Sequence, residues 1–193
     1  YSDCTIIVTD PFGNVSDTLT LTTFEIDTTS PTVSEVTAVT NPTNDTTPNY
    51  TFSSNEAGTI SFGGSCSSST TSATSGNNTI ALKGASSSTL AEGSYSDCTV
   101  TVTDEAGNVS SSITITEFTV DLTASTIAEV TAVKTPTNDT TPNYSFSSTQ
   151  TGTLTYGGSC SSDNTSATAI DNNTIILKGA STSTLAEGTY SDC

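Results

Sequence analysis

LAEGSYSDCTVTVTDEAGNVS spans residues 90–110. Threonine alternates with the apolar positions here, so Cys98, Val100 and Val102 share one face. A period of two marks a half-buried strand. Asp104, Gly107 and Asn108 follow, and these residue types provide the side-chain caps and positive φ that a tight hairpin turn needs. Upstream, Leu90, Gly93 and Tyr95 have the Leu-x-x-Gly-x-Tyr spacing in which a phenol hydroxyl ties down the chain as it crosses into a strand. The segment reads as an anchored strand feeding a hairpin.

The same words recur along the chain. Tyr1, Tyr95 and Tyr190 each open a YSDC or its equivalent, at steps of 95 − 1 = 94 and 190 − 95 = 95 residues. PTNDTTPNY at 42–50 returns unchanged at 136–144. GGSCSS at 63–68 returns at 157–162, and STLAEG at 88–93 returns at 183–188. One extra residue near Ala169–Asp171 accounts for the longer second step. Self-similarity at a fixed period is the signature of a repeat architecture. The overlapping YSDC ends suggest a window on a longer array.

Every apolar segment of the repeat has a strand period, and none has a helical one. Val33 to Val39 reads as a first strand, Tyr50 and Phe52 as a second, and Ile60 and Phe62 as a third that ends at Gly63-Gly64. Ile80 and Leu82 lie in a later strand, and Cys98 to Val102 in the next. Ile113 and Ile115 open the last strand, and Phe118 and Val120 close it. The phase slips between Ile115 and Phe118, as it does between Leu21 and Phe24, and a bulge at Thr116-Glu117 would account for it. About seven short strands in one repeat predict an all-β fold of tandem Ig-like β-sandwich domains, arranged end to end. Leu90, Gly93, Tyr95 and their counterparts Leu185, Gly188, Tyr190 are then tyrosine corners. The boundaries expected are 1–26 for the last strands of a preceding repeat, 27–120 for a complete one, and 121–193 for a repeat lacking its last strands.

Taken together, Leu-x-x-Gly-x-Tyr, the alternating Val/Thr run, TDEAGNVS at 103–110 and the DTTSP joint at 27–31 resemble the bacterial Ig-like repeats of giant surface adhesins. The resemblance covers the whole chain. It implies repeats stacked into long extracellular stalks, with Ca²⁺ stiffening the joints. Many members of that family lack cysteine, whereas this chain carries a regular pair per repeat.

Cys66 and Cys98 are the two cysteines of the complete unit, and Cys160 and Cys193 are their counterparts. Disulfides Cys66–Cys98 and Cys160–Cys193 are expected, which argues for an oxidising compartment. Cys4 matches Cys98, so its partner would lie outside this chain; an intermolecular pair is the alternative. A zinc site would need four clustered ligands, and the sequence has no histidine. A loop of 98 − 66 = 32 residues corresponds to about 3.5–4 kcal/mol in the chain-entropy account.

Three lysines and no arginine face 20 acidic residues among 193, a net charge of −17. Such a chain repels nucleic acid and anionic membranes, which are bound through Lys and Arg. It attracts cations, Ca²⁺ foremost. Sandwich topology places the turn holding Asp104 and Asn108 near Asp27 and near the turn with Asn55 and Glu56. Asp27, Glu56, Asp104 and Asn108 are therefore the candidate Ca²⁺ ligands at one end of the repeat. Asp10 and Asn14 are the counterparts of Asp104 and Asn108. Asp45 (beside Asn44), Glu92 and Asp121 form a second candidate set at the other end. In the third copy Gln150 replaces Glu56.

Nothing in the sequence predicts catalysis. No histidine can serve as a base near neutral pH, and GGSC at 63–66 reads as a turn beside a paired cysteine. The expected role is mechanical: a stalk or fibre at a bacterial cell surface, touching neighbouring repeats end to end, with lateral self-association as a further possibility. A repeated glycan- or protein-binding module is one alternative. The other is a short subunit that polymerises by strand complementation, with residues 5–26 completing the sandwich of another subunit.

Overall fold

The computed structural model describes residues 1–86, 88–169 and 171–193. Ile170, within the segment of the extra residue, lies outside the described residues. The chain divides into two units, Tyr1–Leu122 and Thr123–Cys193. The described residues contain strands and turns and no helix.

The strands of the first unit are β1 (Thr5–Ile6), β2 (Leu19–Thr20), β3 (Val33–Thr37), β4 (Asn49–Ser54), β5 (Gly58–Gly63), β6 (Cys66–Ser67), β7 (Ser72–Ala73), β8 (Gly76–Ala81), β9 (Lys83–Gly84), β10 (Gly93–Tyr95), β11 (Thr99–Thr103), β12 (Ile113–Thr114) and β13 (Phe118–Val120). One antiparallel sheet has the order β3-β4-β8, and the other β12-β11-β5-β7. The alternation read from the sequence is what closes them into a sandwich. Tyr50, Phe52 and Ile80 from one sheet meet Ile60, Val100 and Val102 from the other, all buried. The intervening threonines face outward, and Thr51 and Thr79 hydrogen-bond across β4 and β8 at 2.8 Å. The expected strand through Ile80 and Leu82 ends at Ala81, but Leu82 is still fully buried.

The last strand departs from expectation. A bulge within one strand was the reading of the phase slip at Thr116-Glu117. Instead the chain breaks there into β12, which pairs with β11, and β13, which pairs with β10 in a different sheet. The slip turns Phe118 inward after the chain has changed partners. Phe118 then stacks on Tyr95 at 5.2 Å between ring centroids. A parallel bridge, Thr43 to Val120, holds the same strand from its other side. Here the Thr43 N–H donates to the Thr119 carbonyl, and the Asp121 N–H donates to the Thr43 carbonyl, both at 2.9 Å.

Glu35 fastens the crossing point. Its carboxylate accepts the Thr116 N–H at 3.0 Å and the Thr116 hydroxyl at 2.6 Å. The buried Tyr50 hydroxyl finds no partner at hydrogen-bonding geometry. Burial, and then the Glu35 charge, push its pKa above that of an ordinary tyrosine.

The tyrosine corner is formed by the Tyr95 hydroxyl donating to the Ala91 carbonyl at 3.0 Å, with Leu90 buried beneath. Cys66 and Cys98 are disulfide-bonded at a separation of 32 residues, and both are buried. Gly64 beside them has φ 71°, and a Cβ there would lie 2.1 Å from the Asp97 carbonyl oxygen. The GGSC segment is thus a turn packed on the disulfide.

Residues 5–20 form a separate antiparallel ribbon, Thr5 opposite Thr20 and Ile6 opposite Leu19. Its apolar side chains are exposed: Ile6, Val8, Leu19, Phe24 and Ile26 all lie on the surface.

The second unit carries β14 (Ile127–Thr131), β15 (Asn143–Ser148), β16 (Gly152–Thr153), β17 (Cys160–Ser161), β18 (Ser166–Ala167), β19 (Asn173–Ile176) and β20 (Lys178–Gly179). Its sheet β14-β15-β19 has the register of β3-β4-β8, including the shift at Glu129/Thr131 that matches Glu35/Thr37. Cys160 and Cys193 are bonded at a separation of 33. The Tyr190 hydroxyl donates to the Ala186 carbonyl at 2.9 Å, in the corner made with Leu185 and Gly188. The core of this unit is small, with Phe146, Ala167 and Ile175 buried.

Candidate metal centre

The turn after β11 is built from its own polar side chains. The Asp104 carboxylate accepts the Asn108 N–H at 2.8 Å and the Asn108 side-chain amide at 2.9 Å. Gly107, at φ 94°, lets the backbone close, and the Asp104 N–H donates to the Asn108 carbonyl at 3.0 Å. The Asn108 amide also donates to the Asp27 carbonyl at 3.1 Å, which draws in the start of the repeat. Glu56 comes from the turn between β4 and β5, where the Ser54 hydroxyl donates to the Glu56 carbonyl at 2.6 Å. Asn55 steadies that turn. Its carbonyl oxygen accepts the Thr32 N–H at 2.6 Å, and its amide donates to Glu56 at 3.1 Å.

These elements bring carboxylate oxygens of Asp27, Glu56 and Asp104 within 4.8 Å of one another. Asp27 is exposed and the other two are half-buried. Three carboxylates so close repel each other, and a hard dication relieves that repulsion while taking oxygen ligands. No thiol or imidazole belongs to the group, so the donors suit Ca²⁺ better than zinc or copper.

Partial burial raises the Asp104 pKa, but the donors from Asn108, Gly107 and Ala106 outweigh it and hold the group below the usual aspartate value. Asp10 sits in the same kind of turn. Its carboxylate accepts the Asn14 amide at 2.8 Å and the Phe12 and Asn14 N–H groups, each at 2.9 Å, and its pKa is also lowered, chiefly by the Asn14 side chain. The Asp10 turn has no second or third carboxylate assembled against it among the described residues. The turn geometry is therefore intrinsic to the Asp-x-x-Gly-Asn segment.

A group whose folded-state pKa is depressed stabilises the fold above its unfolded pKa, and that contribution is lost as pH falls through the folded value. Carboxyl ¹³C titration is expected to give midpoints below 3.8 for both Asp10 and Asp104. Asn108→Ala moves the Asp104 midpoint upward and leaves Asp10 where it was. Equal midpoints for Asp104 in the two proteins would refute this account of the turn.

The second expected set is not gathered in the same way. Among the described residues Asp45, Glu92 and Asp121 do not form a group of three close carboxylates. Asp45 is turned into its own loop, where its carboxylate accepts the Thr47 N–H at 2.8 Å.

Two residues with structural roles were not read from the sequence. Glu35 is one. The other is Asn78, whose side chain accepts the Thr74 N–H at 2.8 Å and donates to the Thr74 and Gly76 carbonyls at 2.9 and 3.0 Å. Its counterpart Asn173 repeats the pattern, accepting the Thr168 N–H at 2.7 Å. The recurrence of Asn-Thr-Ile in both copies was the available signal.

No helix among the described residues is long and apolar enough to cross a membrane. Comparison with curated proteins and with solved structures returned no match. The family model for the bacterial Ig-like domain matches residues 32–122, the span from the first strand of the complete sandwich through β13. With its ABE-like and CFG-like sheets and its tyrosine corner, this part of the chain, residues 32–122, belongs to the bacterial Ig-like domain family.

Proposed function

We propose that the chain is a load-bearing segment of an extracellular fibre or adhesin stalk on a bacterial surface, and that Ca²⁺ held by Asp27, Glu56 and Asp104 stiffens it. The observation that carries the reading is the near-verbatim repeat within a bacterial Ig-like framework, one disulfide per copy. Repeats of this kind contact their neighbours, so length grows with copy number. The acidic, threonine-rich faces discourage lateral pairing of strand edges. Immunogold labelling of intact cells with antibody to residues 27–120 tests the role. Label along extended surface fibres is expected, and label confined to the cytoplasm would overturn the reading.

The ion is tested separately, by thermal unfolding in Ca²⁺ and in chelator. A site of the extracellular class has a Kd of roughly 10⁻⁴–10⁻³ M. At about 100 times Kd, Ca²⁺ is expected to stabilise the first unit by about 2.7 kcal/mol. Glu56→Gln, which copies the residue found at position 150, removes most of that gain. Identical midpoints with and without Ca²⁺ would dismiss the ion.

A further inference from the structure

The ribbon at the start of the chain and the open face of the second unit are the two halves of one sandwich. With the offset of 95 − 1 = 94 residues, Ile6, Val8, Leu21, Phe24 and Ile26 match Val100, Val102, Ile115, Phe118 and Val120. In the first unit those five core positions are fully buried. Their counterparts in the ribbon lie in solvent, with Ile6 51% and Val8 63% exposed.

The ribbon already has the shape it would need. The Asp10 N–H donates to the Asn14 carbonyl as Asp104 does to Asn108, the Ser16 N–H to Val8 as Ser110 does to Val102, and the Leu21 N–H to Cys4 as Ile115 does to Cys98. Phe24 stacks on Tyr1 at 5.3 Å, as Phe118 stacks on Tyr95. A preformed donor loses little freedom on docking.

The acceptor is formed as well. Among the described residues of the second unit, no strand stands where β11, β12 and β13 stand in the first. A cavity of about 560 Å³ opens there, lined by Ile127, Tyr144, Phe146, Leu154, Tyr156 and Leu177 among others. The equivalents Tyr50, Phe52, Ile60 and Leu82 are buried in the first unit, where the strands are present. A polar match accompanies the apolar one. Glu35 grips Thr116, and the corresponding pair is Glu129 with Thr22.

We propose that residues 5–26 of one copy dock into the open face of residues 123–193 of a second copy, completing its sandwich in trans. Donor and acceptor patches differ, so the contact is heterologous and propagates into filaments or closes into rings. In a longer polypeptide the same contact is a strand exchange between neighbouring fibres. Donor and acceptor belong to one highly acidic chain, so association strengthens as salt screens the charge. The proposal rests on the equivalence of the repeats and is independent of the calcium reading.

The test is sedimentation of the 193-residue chain carrying Cys4→Ser, which removes pairing through the free thiol. The mass-average is expected to rise with protein concentration and with salt. Excess synthetic peptide of residues 1–26 returns it to one chain plus peptide. Ile6→Asp with Phe24→Asp, both at exposed positions, weakens association at least about tenfold. A single-chain mass throughout the series, or an assembly indifferent to peptide and to the double substitution, would overturn the proposal and leave the stalk reading standing.

Discussion

Replacing Cys66 and Cys98 together with alanine is expected to cost the first unit about 3.5–4 kcal/mol. The disulfide closes a loop of 32 residues, and the chain-entropy account gives a loss of that size. For a domain near this size, each kcal/mol moves Tm by roughly 4–8 °C, so the midpoint falls by about 15–30 °C. Both cysteines are buried, so alanine is the better substitute: serine would add an unpaired hydroxyl in the core. The penalty is large against a total stability of roughly 5–15 kcal/mol. It is also larger than the calcium contribution expected at the Asp27 cluster. Circular dichroism through a thermal scan measures it, with the transition of the second unit as an internal reference because Cys160–Cys193 is untouched. A loss under about 1 kcal/mol would mean that the sandwich holds its unfolded ensemble compact without the bond.

The disulfide, the corner and the core faces were legible because each is a local pattern or a count. Cys66 and Cys98 were the two thiols in a full repeat, and Val100 and Val102 declared their face by alternation. The site was partly legible for a topological reason. Asp27, Glu56 and Asp104 are far apart in sequence, and they meet because a sandwich places those turns at one end. Asp45 looked equivalent in composition, but a threonine two residues on offers it a nearer donor, and local capping wins. Glu35 was passed over as one acid in an exposed strand. Its role depends on Thr116, which arrives from the far end of the repeat. The crossing between β12 and β13 was hidden for a similar reason. A slip of phase is the same in sequence whether the strand bulges or changes sheets, and only the pairing of β13 with β10 separates the two.

That crossing makes Phe118 the position where a single substitution should hurt most. Its ring is fully buried, stacked on Tyr95, on the short strand paired with β10 and bridged in parallel to Thr43. Phe118→Ala removes the buried ring and leaves a cavity walled by elements of two sheets that cannot easily close on it. Such changes cost about 3–5 kcal/mol. Part of the loss passes through Tyr95, which is left without its stacking partner while still hydrogen-bonded to Ala91. Thr119→Ser, on the next residue of the same strand and facing the other way, is the matched control and is expected to cost well under about 1 kcal/mol. Urea unfolding followed by circular dichroism, with the disulfides intact, gives both numbers for the first unit. The two substitutions separate cleanly if the crossing strand is a keystone of the core. A Phe118→Ala penalty no larger than that of Thr119→Ser would mean that β13 is held by its backbone bridges to Tyr95 and Thr43, with the ring a passenger.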